Sequence, residues 1–164
     1  MRTFPLGNFR FFVALDPIIA YVRPTAAELA GASTILGVGG FSDVTGLNGE
    51  LEVLAHPEGG QNDFVHQLPV KHSWGRLTLR RGHVQGESLW DWYRAGLHGS
   101  LGARRDGAVI LLDNDGGPAY TWTFRAGLAA KWSGPDLTAS NAAVAVESIE
   151  VAHHGITQVF ESNG

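Results

Sequence analysis

The stretch from Gly40 to Gly82, GFSDVTGLNGELEVLAHPEGGQNDFVHQLPVKHSWGRLTLRRG, decides the fold class of this chain. Over residues 50–55, the side chains of Leu51, Val53 and Ala55 alternate with those of Glu50, Glu52 and Leu54, and this period of two is typical of a half-buried β-strand. The same alternation returns over residues 76–80. Before the first strand, Gly46 and the pair Asn48-Gly49 tolerate the positive φ that turns require. The stretch therefore predicts β-strands joined by turns.

The connection between these two strands has no regular hydrophobic period. Residues from His56 to Trp74 are predicted to form a long loop, in which residues 57–69 make an extended arm. The pair Gly59-Gly60 and the polar residues around it fit an irregular backbone. Loops of this length are usually either functional or disordered. A mobile, solvated loop is therefore the alternative to a functional arm.

Composition favours a single all-β domain. The 164 residues suffice for one domain with a real core but not for two, and 22 glycines suit the many turns and bulges of such a fold. A formal net charge of -4 argues against dedicated or sequence-specific binding of nucleic acid. The absence of cysteine excludes disulfides and thiolate metal sites, and it fits a reducing compartment.

Targeting signals are not expected. The N-terminal residues 1–17 are too short and too interrupted for a signal peptide, and no apolar run approaches the roughly 20 residues that span a bilayer. We therefore expect cytoplasmic assembly without membrane anchoring.

Further strands are predicted on both sides of this stretch. Asn8–Leu15 has apolar residues on both faces, so it should be covered on two sides, one of which could be a neighbouring subunit. Residues 108–113 and 120–124 are two strand patterns separated by the turn residues Asn114–Gly117, which is a strong hairpin signal.

The last predicted strand, Ala143–Ala152, changes its apolar phase in the middle. A β-bulge near Glu147-Ser148 would explain this change. The tail after Thr157 is expected to be frayed.

One helix is predicted, over Glu87–Gly99. Ser88 is a suitable N-cap, and Asp91 three residues later resembles an acidic capping box. Four apolar residues share one helical face and are expected to close one mouth or flank of a barrel: Leu89, Trp92, Tyr93 and Leu97. The complete prediction is an all-β domain of two antiparallel sheets, closed into a barrel or sandwich, with one helix at its side.

No pattern indicates catalysis, a cofactor or a metal. His153 and His154 are neighbours on a strand and point to opposite faces, and the other histidines are scattered. The acidic run beginning at Asp113 superficially resembles a calcium loop, but the twelfth position, where an EF-hand has glutamate, is Phe124. A turn is the better interpretation, and we expect no enzyme and no cofactor.

The ordered series of motifs resembles a known family. The segments GFSDVTGL, EGGQND, LPVKHSWGRLTLRRG, LWDW and KWSGPDLTAS occur in the order seen in the tail-tube proteins of contractile phages and contractile injection systems. These proteins are similar in fold to the haemolysin-coregulated protein of type VI secretion. The resemblance implies a structural role, with six copies joined edge to edge in a ring and rings stacked into a tube around a channel.

The resemblance also implies where the contacts lie. A comparable arm reaches the adjacent ring or subunit in tube proteins, and residues 16–38, where the family has a short turn, are an apolar insertion that either packs on its own domain or waits for a partner. From the residues themselves, the basic spots in strands and turns are expected to pair with acids of a neighbouring subunit and not to form a nucleic-acid track. The basic residues are Arg76, Arg80, Arg81, Arg104 and Arg105, and the acids are Glu50, Glu52, Glu147 and Glu150. The residues predicted at subunit or ring contacts are Glu58, Gly59, Gly60, Gln61, Asn62, Asp63, Phe64, Ile18, Ile19, Tyr21, Arg80 and Arg81.

Two roles fit such a chain, with sheath, baseplate and spike-hub proteins as further partners. One is the repeating inner-tube subunit. The other is a tube-initiator ring that joins the tube to the spike hub at the baseplate, which the insertion would favour. A small ligand-binding β-barrel or enzyme is the distant alternative, and it would require a pocket with convergent polar groups.

Overall fold

The structure is a computed structural model that describes residues 11–15, 38–39, 41–82, 89–98, 104–113, 115, 117–140 and 144–160. The predicted contacts Ile18, Ile19 and Tyr21, nearly all of the predicted insertion 16–38, and the helix cap Ser88 lie outside these residues.

The described part of the chain contains ten strands and one helix, which confirms the predicted all-β class. In chain order the elements are β1 (Phe11–Ala14), β2 (Val38–Gly39), β3 (Phe41–Thr45), β4 (Gly49–His56), β5 (His66–Trp74), β6 (Leu77–Gly82), α1 (Leu89–Leu97), β7 (Arg105–Leu112), β8 (Pro118–Ser133), β9 (Val146–Ala152) and β10 (Ile156–Phe160).

Two antiparallel sheets share the long strand β8. The first half of β8 pairs with β7 on one side and with β10 on the other, and β7 continues to β1 and β2. The second half of β8 pairs with β9, which continues to β6 and β3. We call these the first and the second sheet. Hydrogen bonds do not close the strand path among the described residues, but its two ends, β2 and β3, are separated in the chain by Gly40 alone.

The two sheets are connected at two bends, one within β8 and one between β9 and β10. Ala126 in β8 has a φ of 51°, and Gly155, between β9 and β10, has a φ of 144°. The bends lie side by side, because Arg125 N donates to Gly155 O at 3.3 Å and His154 N donates to Arg125 O at 2.9 Å. Asp106 Oδ1 accepts a 2.8 Å hydrogen bond from Ala126 N. This bond helps to hold Ala126 in the left-handed backbone conformation, which favours glycine.

The main core joins the inner faces of both sheets and the helix. Leu77 and Leu79 of β6 and Ile149 and Val151 of β9 are completely buried there, together with side chains of β1, β7, β8 and α1. A second cluster, Ala108, Ile110 and Leu112 with Phe12 packed against it, lies on the opposite face of the first sheet, because neighbouring residues of a strand point to opposite faces. As predicted, the first strand has packed apolar side chains in both directions.

Three sequence expectations for the strands are wrong. Residues 66–74 form β5 instead of a loop, since their polar composition and Pro69 hid the strand period. Residues 158–160, where the frayed tail was expected to begin, belong to β10, which pairs with β8, and the last four residues lie outside the described ranges. β9 contains no bulge near Glu147-Ser148: Glu147 takes an inward position of a regular alternation, and the irregularity lies in β8 between Ala129 and Lys131.

The helix is confirmed with a narrower buried face than predicted. Leu89 and Trp92 are buried and Tyr93 packs on the core, but Leu97 is exposed. Within the described residues, no helix is long and apolar enough to span a membrane.

Candidate assembly surface

A two-stranded hairpin extends from the second sheet. β4 and β5 pair only with each other among the described strands, and they continue the ribbon formed by β3 and β6. We call residues 49–74 the hairpin arm. With a rise of about 3.3 Å per residue, the eight residues of β4 make the hairpin arm about 26 Å long.

The hairpin arm is apolar and exposed at the same time. Every residue of β4 is exposed, and so is every residue of β5 except His66. Leu51, Val53 and Val70 have half or more of their surface open to solvent (53%, 50% and 60%). Because a lone two-stranded hairpin is marginally stable in water and exposed apolar patches mark interaction sites, this surface is suited to burial against another chain.

The strand register separates the two faces of the hairpin arm. Leu51 and Val53 lie on the same face of β4, opposite His72 and Pro69 of β5. We call these two apolar residues and Pro69 the apolar stripe of the hairpin arm. The register shifts between Glu52 and Val53, which places Val70 as the extra residue of a bulge next to Pro69. A bulge is one of the few sheet positions where proline fits.

The other face of the hairpin arm carries charge. Glu50 and Glu52 lie on it, and Lys71 is directly opposite Glu52. With Glu58 and Asp63 near the tip, the hairpin arm has four acidic residues and one lysine, a formal charge of -3 out of the -4 of the whole chain. A partner surface for the hairpin arm should therefore be both apolar and basic.

The tip brings together the predicted contact residues Glu58 to Phe64. His66 Nε2 lies 2.8 Å from Glu58 Oε2, and the ring of Phe64 meets that of His66 edge-on at 5.1 Å. Gln61 N donates to Glu58 O, and Gly60 adopts a φ of 90° in the turn. The role of these residues in a ring contact stays a prediction.

A short interruption of the β-ladder joins the hairpin arm to the rest of the domain. We call the first and second sheets with the helix the body. We call residues 46–48 and 75–76 the root. Gly46 has a φ of 91°, and a Cβ atom there would overlap Arg76 O, so that only glycine fits. Gly75 N donates to Asn48 O at 3.1 Å.

Arg81 has a partner within its own chain, contrary to the expected intersubunit pair. Arg81 Nε donates to Glu147 Oε1 at 2.8 Å, and both side chains are buried. Trp132 Nε1 donates to the other carboxylate oxygen at 3.3 Å, and the Arg81 guanidinium lies 5.7 Å from the ring centre of Phe41. The pair forms within one chain because residues 81 and 147 are direct neighbours across β6 and β9.

Glu150 also has partners within the chain. Arg76 Nη1 approaches it at 3.3 Å and Lys131 Nζ at 3.8 Å. Arg80 is exposed on the outward face of β6, opposite Ser148, and its role at a subunit contact stays a prediction.

The acid of the predicted turn and the histidine pair 153–154 have partners within the chain. Asp113 Oδ1 accepts hydrogen bonds from Asp115 N at 2.9 Å and Gly117 N at 2.8 Å, which makes it the cap of the β7–β8 turn. Within the described ranges, no three histidine, aspartate or glutamate residues are placed to hold a metal ion. His153 contacts the root, whereas His154 contacts Arg104.

The fold and the arm define the class: an all-β domain of two antiparallel sheets, with one flanking helix and a projecting hairpin. The family of the T4-like virus tail tube protein gp19 matches residues 7–157, and the chain belongs to this family. No curated protein sequence matches the chain.

Solved structures share the fold. The chain is similar to a chain in the 6-fold symmetrised cryo-EM structure of the anti-feeding prophage (AFP) baseplate, with a TM-score of 0.75, 24% identity, and 97% and 98% of the two chains covered. A chain of the PVC sheath-tube complex, an extracellular contractile injection system in the extended state, has a TM-score of 0.72 and 17% identity over 96% and 93%. The crystal structure of an Hcp protein has a TM-score of 0.51 and 11% identity over 92% and 98%.

Proposed function

We propose that this protein is a structural subunit of the inner tube of a contractile tail or injection system. Six copies form a ring, rings stack into a tube with a central channel, and no catalytic step is involved. The observation that carries this proposal is the hairpin arm, whose exposed apolar side chains need a partner to cover them. Membership of the tail tube family supports the same assignment.

Ring formation would use the two margins of the second sheet. Among the described residues, β3 pairs only with β6, and the second half of β8 pairs only with β9. Pairing of β3 in one copy with β8 in the next would satisfy backbone groups that are otherwise open to aggregation. The exposed Arg80, on the outward face of this sheet, would then lie close to a subunit boundary.

Ring stacking would use the hairpin arm. Its length of about 26 Å is enough to reach beyond its own body, and its tip residues Glu58 to Phe64 would contact the adjacent ring. The apolar stripe around Val53 would be buried there, and the acidic face would meet basic groups. Sheath, baseplate and spike-hub proteins are the further partners of such a tube, which would assemble in the cytoplasm before it becomes part of the particle.

Native mass measurement and negative-stain imaging test this proposal. We expect the purified protein to form six-membered rings and, at higher concentration, stacked tubes. A variant whose residues 50–73 are replaced by a short turn should keep the fold and the rings but not stack. A wild-type protein that stays monomeric at high concentration would contradict the proposed function.

A tube-initiator ring at the baseplate is the second candidate. It is favoured by the higher identity to the chain of the AFP baseplate structure, 24%, than to the chain of the PVC sheath-tube complex, 17%. A tagged copy imaged in intact particles separates the two roles. Label along the whole shaft would support the repeating subunit, and label at one end only would support the initiator.

A further inference from the structure

The direction of the hairpin arm relative to the body is set by the backbone of the root. The β3–β6 ladder ends at the pair Thr45 and Thr78, and the β4–β5 ladder begins at Gly49 and Trp74. Between these pairs the two strands are connected by one backbone hydrogen bond, Gly75 N to Asn48 O. An interrupted two-stranded ribbon of this kind is a hinge unless something outside the ribbon holds it.

His153 connects the root to the body. Its Nε2 lies 2.9 Å from Gly75 O, which is an acceptor, and its Nδ1 accepts a 3.2 Å hydrogen bond from Gly155 N. These two contacts place the ring proton on Nε2, since Nδ1 must accept and Nε2 must donate. The half-buried His153 is therefore held on one side by the bend between β9 and β10 and holds the hairpin arm on the other.

Ring packing at the same place supports this role. The ring of Trp74, the last residue of β5, lies with its centre 6.1 Å from that of His153 and 4.5 Å from that of His72. The Trp74 ring also lies over Gly155, since a Cβ atom there would be only 3.4 Å from Trp74 Nε1. By contrast, the Arg76–Glu150 pair near the root is largely exposed, so it contributes little rigidity.

We propose that His153 is a positioning residue that fixes the angle between the hairpin arm and the body, and thereby prepares the arm for docking on an adjacent ring. This inference rests on the proposed tube function. An arm held in its docking direction loses less conformational freedom on binding, so each ring junction forms more readily.

Two substitutions separate the two hydrogen bonds of His153. In His153→Gln, the amide nitrogen can reach the position of Nε2 and still donate to Gly75 O. In His153→Asn, the amide oxygen can replace Nδ1 and still accept from Gly155 N, but the side chain is too short to reach the root. His154→Asn is the matched control, because His154 Nε2 contacts Arg104 and not the root.

We expect His153→Gln and His154→Asn to form tubes at the wild-type concentration. His153→Asn should form rings normally but need about tenfold or more protein to form tubes, because every arm in a ring junction loses its tether. Wild-type tube formation by His153→Asn would overturn the inference, and so would equal loss in both His153 variants. Failure of the wild type to form rings would instead contradict the proposed function.

A distance measurement tests the same inference without assembly. The chain has no cysteine, so spin labels can be attached at Asn62→Cys in the tip and Ser133→Cys in β8 without further changes. In the isolated subunit, His153→Asn should at least double the width of the distance distribution, whereas His153→Gln should keep it. An unchanged width in folded His153→Asn would refute the positioning role, and thermal unfolding of each variant shows whether it is folded.

Discussion

The ribbon β3–β6 and the hairpin arm are built from the same two stretches of chain, yet they have opposite surroundings. In β6, Leu77 and Leu79 are completely buried, whereas Leu51 and Val53 in β4 are at least half exposed. Both pairs of residues alternate with polar neighbours in the same way. The alternation therefore specifies a strand with one apolar face, but it does not specify what covers that face.

The largest contrast is expected for two glutamates. Glu147→Ala should lower the free energy of unfolding by about 3–5 kcal/mol, because it removes the carboxylate from a buried ion pair. Glu52→Ala in the hairpin arm should leave it nearly unchanged. Urea unfolding followed by tryptophan fluorescence measures both.

The replacement of both members of the buried pair provides the control. Arg81→Met together with Glu147→Leu should recover most of the stability, since an apolar pair needs no desolvation of charge. If Glu147→Ala unfolds at the same urea concentration as the wild type, the pair does not stabilise the body.

Two glycines with the same φ give the next contrast. Gly46→Ala should cost at least about 2 kcal/mol, because the left-handed backbone conformation is combined with overlap between Cβ and Arg76 O. Gly60→Ala at the tip should cost about 1 kcal/mol or less, because no atom lies within 4 Å of the added Cβ. Thermal unfolding of the two variants gives this difference directly, and equal losses would mean that the root is no more constrained than the tip.

The smallest effect on stability is expected in the apolar stripe of the hairpin arm. Val53→Ser should change the free energy of unfolding by less than about 0.5 kcal/mol, as for other exposed positions. The same change should prevent ring stacking, because the stripe would be buried in the ring junction. Negative-stain imaging should show rings without tubes. Tubes of normal length would show that the apolar stripe is not needed for ring stacking.

The sequence alone predicted most of the body and misjudged the hairpin arm. Strands with one buried face, such as β6, were visible from their period of two, and the turn at Asp113 was recognised from its residue types. β5 was missed because neither of its faces is buried in the subunit, so no apolar–polar period marks the strand. Pro69 and the bulge beside it further obscured the strand.

The misassigned charges have a physical cause of their own. Glu147 stands at an inward position of β9, where an apolar residue is the normal expectation, and this made the strand look shifted. Its partner Arg81 is distant in sequence but adjacent across the sheet. Single-sequence patterns contain no information on such pairings, and for the same reason His153 could not be connected to Gly75 before the structure was known.

The bend of β8 also has a mechanical consequence. Since one uninterrupted strand belongs to both sheets, a pull on either sheet is transmitted to the other through covalent bonds, and the interface between the layers does not have to resist sliding alone. The neighbouring strands β9 and β10 double this connection across the same bend. The two layers are therefore coupled by two covalent crossings at one bend, which oppose their separation under a load along the strands.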